Sequence, residues 1–564
     1  MGRSLGSVWS ALSLSLVGAG CGGAATPADA GLGDAAALEA DGGADAGLRP
    51  RDAGPPSPTR PTCGAPLEKV DTSRPDHVVG TGTPASCTEE ALADAVAAGG
   101  VVTFDCGGEA TLRITRTLEV PTDRDTTLDG GGRITLDGGG TTRIVSFDHA
   151  DFRRNTHVLT LQGLTFVRGR AAGARPFAPA PAPCSQGFYE GFGGAVYVRD
   201  GTLHVFDSTF LDNEAASLGP DVGGGAISLN GALGAVIVGS TFRRNRASNG
   251  GAVQVLNSDL DVFDSVFEEN SAVGNGANSD DATMCAVVAE TMQHQVGSGG
   301  NGGAIVIDGG SDRAHTFCGV EFRRNAGGAG AFGGALFRTP DLGRQPTTID
   351  RCLFDRNSAH GGGAAYMHDS ELFVTASTFT GNVATTLCGA IQSDGSRVHF
   401  ENDTFEENVA AAGLGGAVCL FGGDGEVAYT TFADNHADGG DPFFGAALAG
   451  NSTLTLTGCL FSNNTAQNPG APMQCHSNGT GEGNVQWPRA HLVGGGDDAL
   501  CTPTTLIADP RLGPLGDHGG MTPTRLPSVG SPALGRGVGC PAFDQRGRPR
   551  PLTGCTSGAV EGSE

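Results

Sequence analysis

Lysine is all but absent from this chain of 564 residues: Lys69 is the only one, so the basic side chains are almost all arginine. Charged residues make up 17%, with two tryptophans and four tyrosines. No helix-length amphipathic run alternates with strands, which excludes α/β units and long helical bundles. Cys-x-x-Cys pairs and His/Cys clusters with zinc spacing are missing, so no structural metal site is expected. A formal charge of −26 repels phosphate backbones and argues against nucleic acid as a partner. What the chain has in excess is glycine, 94 residues, beside 38% apolar residues: enough to bury a core while turning often.

The first residues hold Arg3 and then an apolar stretch from Val8 to Ala19, too short to span a bilayer and read here as a signal peptide. It ends Leu16-Val17-Gly18-Ala19-Gly20-Cys21, which resembles the lipobox of bacterial lipoproteins. The resemblance implies lipidation of Cys21 and a membrane anchor. Gly18 stands where a larger aliphatic residue is usual, which leaves ordinary cleavage and secretion as the alternative. Residues 22–62, rich in Ala, Gly, Pro and Asp, have almost nothing to bury and are expected to form a disordered tether. Removing Cys21 leaves 14 of the 15 cysteines, an even number that in an exported chain favours disulfides. Cys87 with Cys106, Cys540 with Cys555, and Cys475 with Cys501 are the candidate pairs.

Phe-x-x-Asn occurs nine times: Phe210 with Asn213, Phe242 with Asn245, Phe267 with Asn270, Phe322 with Asn325, Phe354 with Asn357, Phe379 with Asn382, Phe405 with Asn408, Phe432 with Asn435 and Phe461 with Asn464. The intervals cluster near 25 residues, with one of 55 that contains a polar excursion from Gly274 to Gly300, expected to be a long loop in place of a missing motif. Five residues before each phenylalanine stands an apolar residue, from Val205 to Leu456, in segments that alternate like half-buried strands. Upstream of most motifs a glycine pair opens a second short strand, as in Gly193-Gly194-Ala195-Val196 and Gly415-Gly416-Ala417-Val418. Two strands per unit that cannot bury their faces alone call for stacked coils: an all-β, right-handed parallel β-helix over 63–470, with phenylalanine and asparagine columns inside. Thr88 followed by a helically spaced segment to Ala98 predicts a helix over the N-terminal end.

The repeat, Gly-Gly-Ala-(Ile/Val/Leu) followed by Phe-x-x-Asn, resembles that of the chlamydial polymorphic outer membrane proteins, β-helical surface adhesins. The opening coils resemble those of pectin-lyase-like β-helix proteins. Residues 471–564 are expected to form a C-terminal cap. Its run of Asp509-Pro510-Arg511, Asp517-His518-Gly519-Gly520, Asp544-Gln545-Arg546-Gly547 and Arg550-Pro551 is similar to the C-terminal region of the choice-of-anchor Q proteins, which are exported β-helices; Gly535 stands where that family has Asp.

Chemistry is harder to find. Gly-His-Gly, Arg-x-Lys and Asp-Pro-His-Asp, which pectin-lyase-like enzymes use, are all absent. Isolated candidates are Asp280-Asp281, Asp497-Asp498, His360 and His518, together with the charge set Asp517, Asp544, Arg546 and Arg550, read as hydrogen-bonded structure closing the C-terminal end rather than as a catalytic cluster. Arg243-Arg244 and Arg323-Arg324 would form a basic stripe or balance nearby glutamates. No cofactor is expected, Ca²⁺ being the cation the paired aspartates would take. The reading is a noncatalytic protein of the bacterial outer membrane or cell surface, adhesive or glycan-binding and displayed on a lipid anchor. Its partner would be a polysaccharide or a cell-surface molecule, and no oligomeric state is implied. A lyase or hydrolase acting on an acidic glycan, and a purely structural envelope component, are the alternatives.

Overall fold

A computed structural model describes residues 63–563, apart from 174–189, 220, 275–298, 310–313, 341–343, 439–446, 451–452, 476–478 and 492. Cys21, the 22–62 segment, the long excursion and Asp280-Asp281 therefore lie outside the described residues.

The fold is a parallel β-helix of about 12 turns. Each turn carries three strands rather than two, because the alternating segment breaks at a sharp corner. In one coil the glycine-led strand Ile227–Asn230 is followed by a middle strand Gly234–Val238 and a Phe strand Thr241–Arg243. The corner between the last two is Gly239, at φ 60°, and the coil before it turns at Asp207, at φ 44°. Every strand pairs in parallel with its counterpart one coil on, so Phe210, Phe242 and Phe267 are direct neighbours. Phe267 pairs with Phe322 across the 55-residue interval, so no coil is missing there: the extra chain is inserted into a coil.

The aromatic column begins one coil earlier than the motif, at Phe166, and runs to Phe461 with successive ring centroids 4.5–5.3 Å apart and planes within 20°. Offset stacking adds to the apolar area these fully buried rings remove from water. Beside it runs the asparagine column, in which Asn213, Asn245, Asn270, Asn325, Asn357, Asn382, Asn408, Asn435 and Asn464 are all buried. Asn357 Nδ2 donates to Asn382 Oδ1 at 3.0 Å and to the Phe322 carbonyl at 3.0 Å. The same bond carries Asn213 to Asn245, Asn245 to Asn270, Asn270 to Asn325 and Asn325 to Asn357, each at 3.0 Å. Beyond Asn382 it runs through Asn408 and Asn435 to Asn464, each at 2.9 Å. The Asn270 to Asn325 rung is as short as the others, so the 55-residue interval leaves no gap in the ladder. Gln474 finishes it by accepting from Asn464 at 2.8 Å. The residue before each asparagine is left-handed, at φ 50–61°, and only Gly381 among them is a glycine. The asparagine bonds hold a conformation that L side chains otherwise avoid.

The two glycines of each pair serve different ends. The first, Gly362 for example, has φ 59°. The second, Gly363, lies against the Gly389 carbonyl of the next coil, where any Cβ would collide with backbone.

At the N-terminal end the helix Glu89–Ala98, capped by Thr88 accepting from the Ala91 amide, packs Leu92 and Val96 onto the first coil. At the other end the strand line continues past residue 470, through Val485–Trp487 and Leu506–Ile507. The buried Cys475–Cys501 disulfide lies in the same core. The rest of the expected cap does something else: from about Asp509 it turns back and runs along the flank of the solenoid. Thr522 Oγ1 donates to the Ala376 carbonyl at 2.8 Å, Tyr429 Oη to the Val538 carbonyl at 2.6 Å, and Gln545 Nε2 to Thr378 Oγ1 at 2.8 Å. Outward threonines of the Phe strands give this segment polar partners that a bare end of the coil stack would not.

Disulfides join Cys63 to Cys318, Cys87 to Cys106, Cys388 to Cys419, Cys475 to Cys501 and Cys540 to Cys555. Full pairing does not hold: Cys352 and Cys459 are buried free thiols. They occupy the same corner position four coils apart, about 19 Å at the usual strand spacing, too far to bond. Burial pushes the Cys459 thiol up to about 12, so it stays protonated and inert.

Candidate functional site

The charged residues singled out in the sequence do not converge. Asp497 pairs with Arg489 at 3.0 Å on the surface, whereas its neighbour Asp498 is buried and accepts the Met473 amide at 2.8 Å. His360 meets Thr385 Oγ1 at 3.2 Å, and His518 meets Thr524 Oγ1 at 3.1 Å on the returning C-terminal segment. The arginine pairs form no free basic stripe: Arg244 binds Asp212 at 2.8 Å, Arg243 lies 3.4 Å from Glu268, Arg323 binds Glu321 at 2.7 Å and Arg324 contacts Glu268. These exposed ladders balance charge between coils. Of the C-terminal set, Asp544 binds Arg546 at 2.7 Å and accepts the Arg548 and Glu561 amides, while Arg550 reaches Asn402 at 2.9 Å and lies over the Tyr429 ring. Asp517 only closes its own turn, onto the Gly519 amide. Asp544 and Arg546 thus brace the C-terminal segment internally, and Arg550 fastens it to the flank rather than to an end of the coil stack. Among the described residues no three His, Cys, Asp or Glu side chains gather as a metal would need. His436 does bridge Thr465 Oγ1 and Asp438 at 2.6 Å each, an order of groups that suits nucleophile activation. Thr465 and His436 are, however, direct cross-coil partners on a short exposed strand line, which accounts for their contact.

A site the sequence reading missed lies on the first three coils. Arg116, Arg143 and Arg170 follow one another at intervals of 27 residues, one per coil. With Thr115, Thr117, Thr141 and Thr142 they line a groove of about 450 Å³, in which Glu190 is the one carboxylate among the described residues. The register comes from the strands beneath: Ala110–Arg113 pairs with Ile134 to Asp137, which pairs with Leu164 to Val167. Glu89 of the N-terminal helix fixes the first rung by accepting the Thr115 and Arg116 amides at 2.7 and 3.0 Å. The Arg170 amide donates to the Thr142 carbonyl at 2.9 Å, tying the third rung to the second.

Arg143 is the central cation. It is largely buried; Nε donates to the Gly193 carbonyl at 3.1 Å, Nη2 to the Phe192 carbonyl at 2.7 Å, and the guanidinium lies 5.0 Å from the Tyr197 ring centre. Burial holds its pKa below the ordinary arginine value, against the opposing pull of Tyr197, Glu119 and Asp148. Arg170 lies 3.9 Å from Glu214, and Arg116 is exposed. Three guanidinium groups and a row of hydroxyls, in a chain of net charge −26, suit a ligand carrying carboxylate or sulfate groups among hydroxyls. The equal spacing of the arginines was the available signal, hidden because Phe166-x-x-Gly169 breaks the repeat motif there.

No family model matches the sequence, and neither does any curated protein. Two solved structures of PfbA, a surface adhesin of Streptococcus pneumoniae, resemble it at 11% identity. One alignment covers 68% of this chain and 91% of the adhesin, with a TM-score of 0.31; the other covers 74% and 96%, with 0.30. At those values the likeness carries no functional argument.

Proposed function

We propose that this protein is an exported, noncatalytic binding protein of the cell surface or envelope, and that it takes an acidic glycan along the arginine groove. The observation that carries this reading is the juxtaposition of Arg116, Arg143 and Arg170 with threonine hydroxyls on consecutive coils. Sugar hydroxyls and anionic substituents would be met by the two donor types the groove offers. Export is supported by five disulfides, which persist in oxidising compartments. Display on a lipid attached to Cys21 completes the proposal.

The test is a glycan array probed with the full chain, with and without Ca²⁺, followed by product analysis. Binding restricted to uronate-bearing or sulfated glycans without turnover is the expected result. Release of unsaturated or reducing sugars would instead make the protein a lyase or hydrolase. For the anchor, Cys21→Ala is expected to abolish membrane retention, and retention unchanged by that substitution would contradict lipidation.

A further inference from the structure

The N-terminal segment of the folded unit does not enter the solenoid at its end. Cys63 is bonded to Cys318, which closes the middle strand of the seventh of twelve coils. From there the chain runs back along the corner between middle and Phe strands, one coil after another. The Cys63 amide donates to Asp264 at 3.3 Å and Lys69 pairs with Asp207. Val70 exchanges two 3.1 Å bonds with the Gln162 side chain, and Thr72 donates to Asp129 at 2.6 Å. Only at His77–Val79 does it join the first coil. The returning C-terminal segment occupies the same corner from the other direction, and its Met521 packs into the cluster of Cys63, Cys318 and Phe263. Two straps thus meet at mid-solenoid, over the disulfide.

We propose that Cys63–Cys318 is a mechanical stop that makes the seventh coil the point where any pull on the preceding chain enters the body. Without it, tension at Cys63 would peel the strap toward the first coil. Among the described residues no coil from the second to the sixth gives the strap more than two polar contacts, so they would break one after another at low force. The disulfide removes that route: tension crosses from Cys63 into Cys318 and is shared by the parallel ladders on both sides of the seventh coil, which shear together. A tethered molecule is consequently held by its flank, with the arginine groove four to six coils from the attachment, about 19 to 29 Å along the stack. The inference rests on the strap and not on the glycan reading, and each can fail without the other.

The experiment is single-molecule pulling of the full chain between handles at its two termini. In the oxidised protein no low-force release of the N-terminal strap is expected, whereas the C-terminal strap peels alike in wild type and variants. The 255-residue loop closed by the disulfide stays out of the released length, a deficit of roughly 900 Å at full extension. Cys63→Ser, and separately Cys318→Ser, is expected to show early low-force steps from this strap and to recover the missing length less the part that Cys87–Cys106 still closes, while hydrogen exchange at zero force still finds the Val70 and Asp76 amides protected. Early release of the N-terminal strap in the oxidised wild type, or appearance of the length of the 63–318 loop before reduction, would overturn the proposal; so would exchange of the Val70 and Asp76 amides as fast as in an unfolded chain in both variants, since the strap would then have no docked state to protect.

Discussion

Asn382 Nδ2 donates to Asn408 Oδ1 at 2.9 Å while Asn382 Oδ1 accepts from Asn357 Nδ2 at 3.0 Å, so each amide of the column completes the bonding of its neighbours. Asn382→Ala therefore takes the side-chain donor from the Phe354 carbonyl and the acceptor from both the backbone N–H and the side-chain amide of Asn357, while Asn408 Oδ1 keeps only the residue 382 backbone N–H. At about 1–3 kcal/mol for each unmet group, a loss of roughly 3 kcal/mol or more is expected, read as a lowered denaturant midpoint. An unchanged midpoint would show that the ladder adds nothing to stability.

Gly363→Ala is expected to destabilise strongly, because the new methyl would strike the Gly389 carbonyl of the adjoining coil and neither backbone can yield. Glu407→Gly is expected to be neutral or stabilising, by up to about 1 kcal/mol, since it relieves a left-handed residue at φ 50°. Thermal denaturation of the two variants in parallel separates the steric account from a general intolerance of changes at the corners.

Much of this was legible. Phenylalanine and asparagine at fixed spacing announce stacked columns because only a stacked coil gives such residues identical neighbours. The Thr88 cap was legible from its own helical spacing, and the opening coils by their resemblance to those of pectin-lyase-like β-helices. The straps could not, because Thr378, Gln545, Val70 and Gln162 recognise one another across the sequence through single hydrogen bonds that leave no periodic trace. The C-terminal charge set looked like an end cap for that reason, although its Arg550 bonds to Asn402 on the flank. Cys63 with Cys318, 255 residues apart, was equally hidden.

Glu406 and Asp403 should contribute stability that falls as pH rises from about 5 to 8, while His315, held neutral by burial, contributes in the opposite sense up to its unfolded value. Burial raises Glu406 to about 7, against the opposing pull of Arg525, and holds the fully buried Asp403 well above the carboxylate range. Between their unfolded and folded pKa values the native state holds protons that the unfolded chain has released, so the contribution is present at low pH and is lost as pH climbs through the folded values. Glu406→Gln, which mimics the protonated form, is expected to raise the melting temperature at pH 8 and to leave it nearly unchanged at pH 5. The opposite order would contradict the assignment.

Gln545 anchors the returning C-terminal segment: its Oε1 accepts from Thr404 Oγ1 at 2.7 Å and its Nε2 donates to Thr378 Oγ1 at 2.8 Å and Thr522 Oγ1 at 3.0 Å. Gln545→Leu is expected to speed amide exchange in residues 520–525 and 543–550 while the Phe column keeps its protection. Equal loosening of both would mean that the segment is part of the core rather than a strap laid on it.

The most direct measurement is calorimetric titration of a uronate or sulfated oligosaccharide into the full chain and into an Arg116→Ala/Arg170→Ala variant, each at two salt concentrations. These two side chains lie at the ends of the groove, so the variant should remain folded. At about 1.5–3 kcal/mol per charged hydrogen bond, removing both is expected to weaken binding by roughly 100-fold or more and to flatten its salt dependence. Equal affinity and equal salt dependence in the two proteins would contradict the assignment of the groove as the binding site.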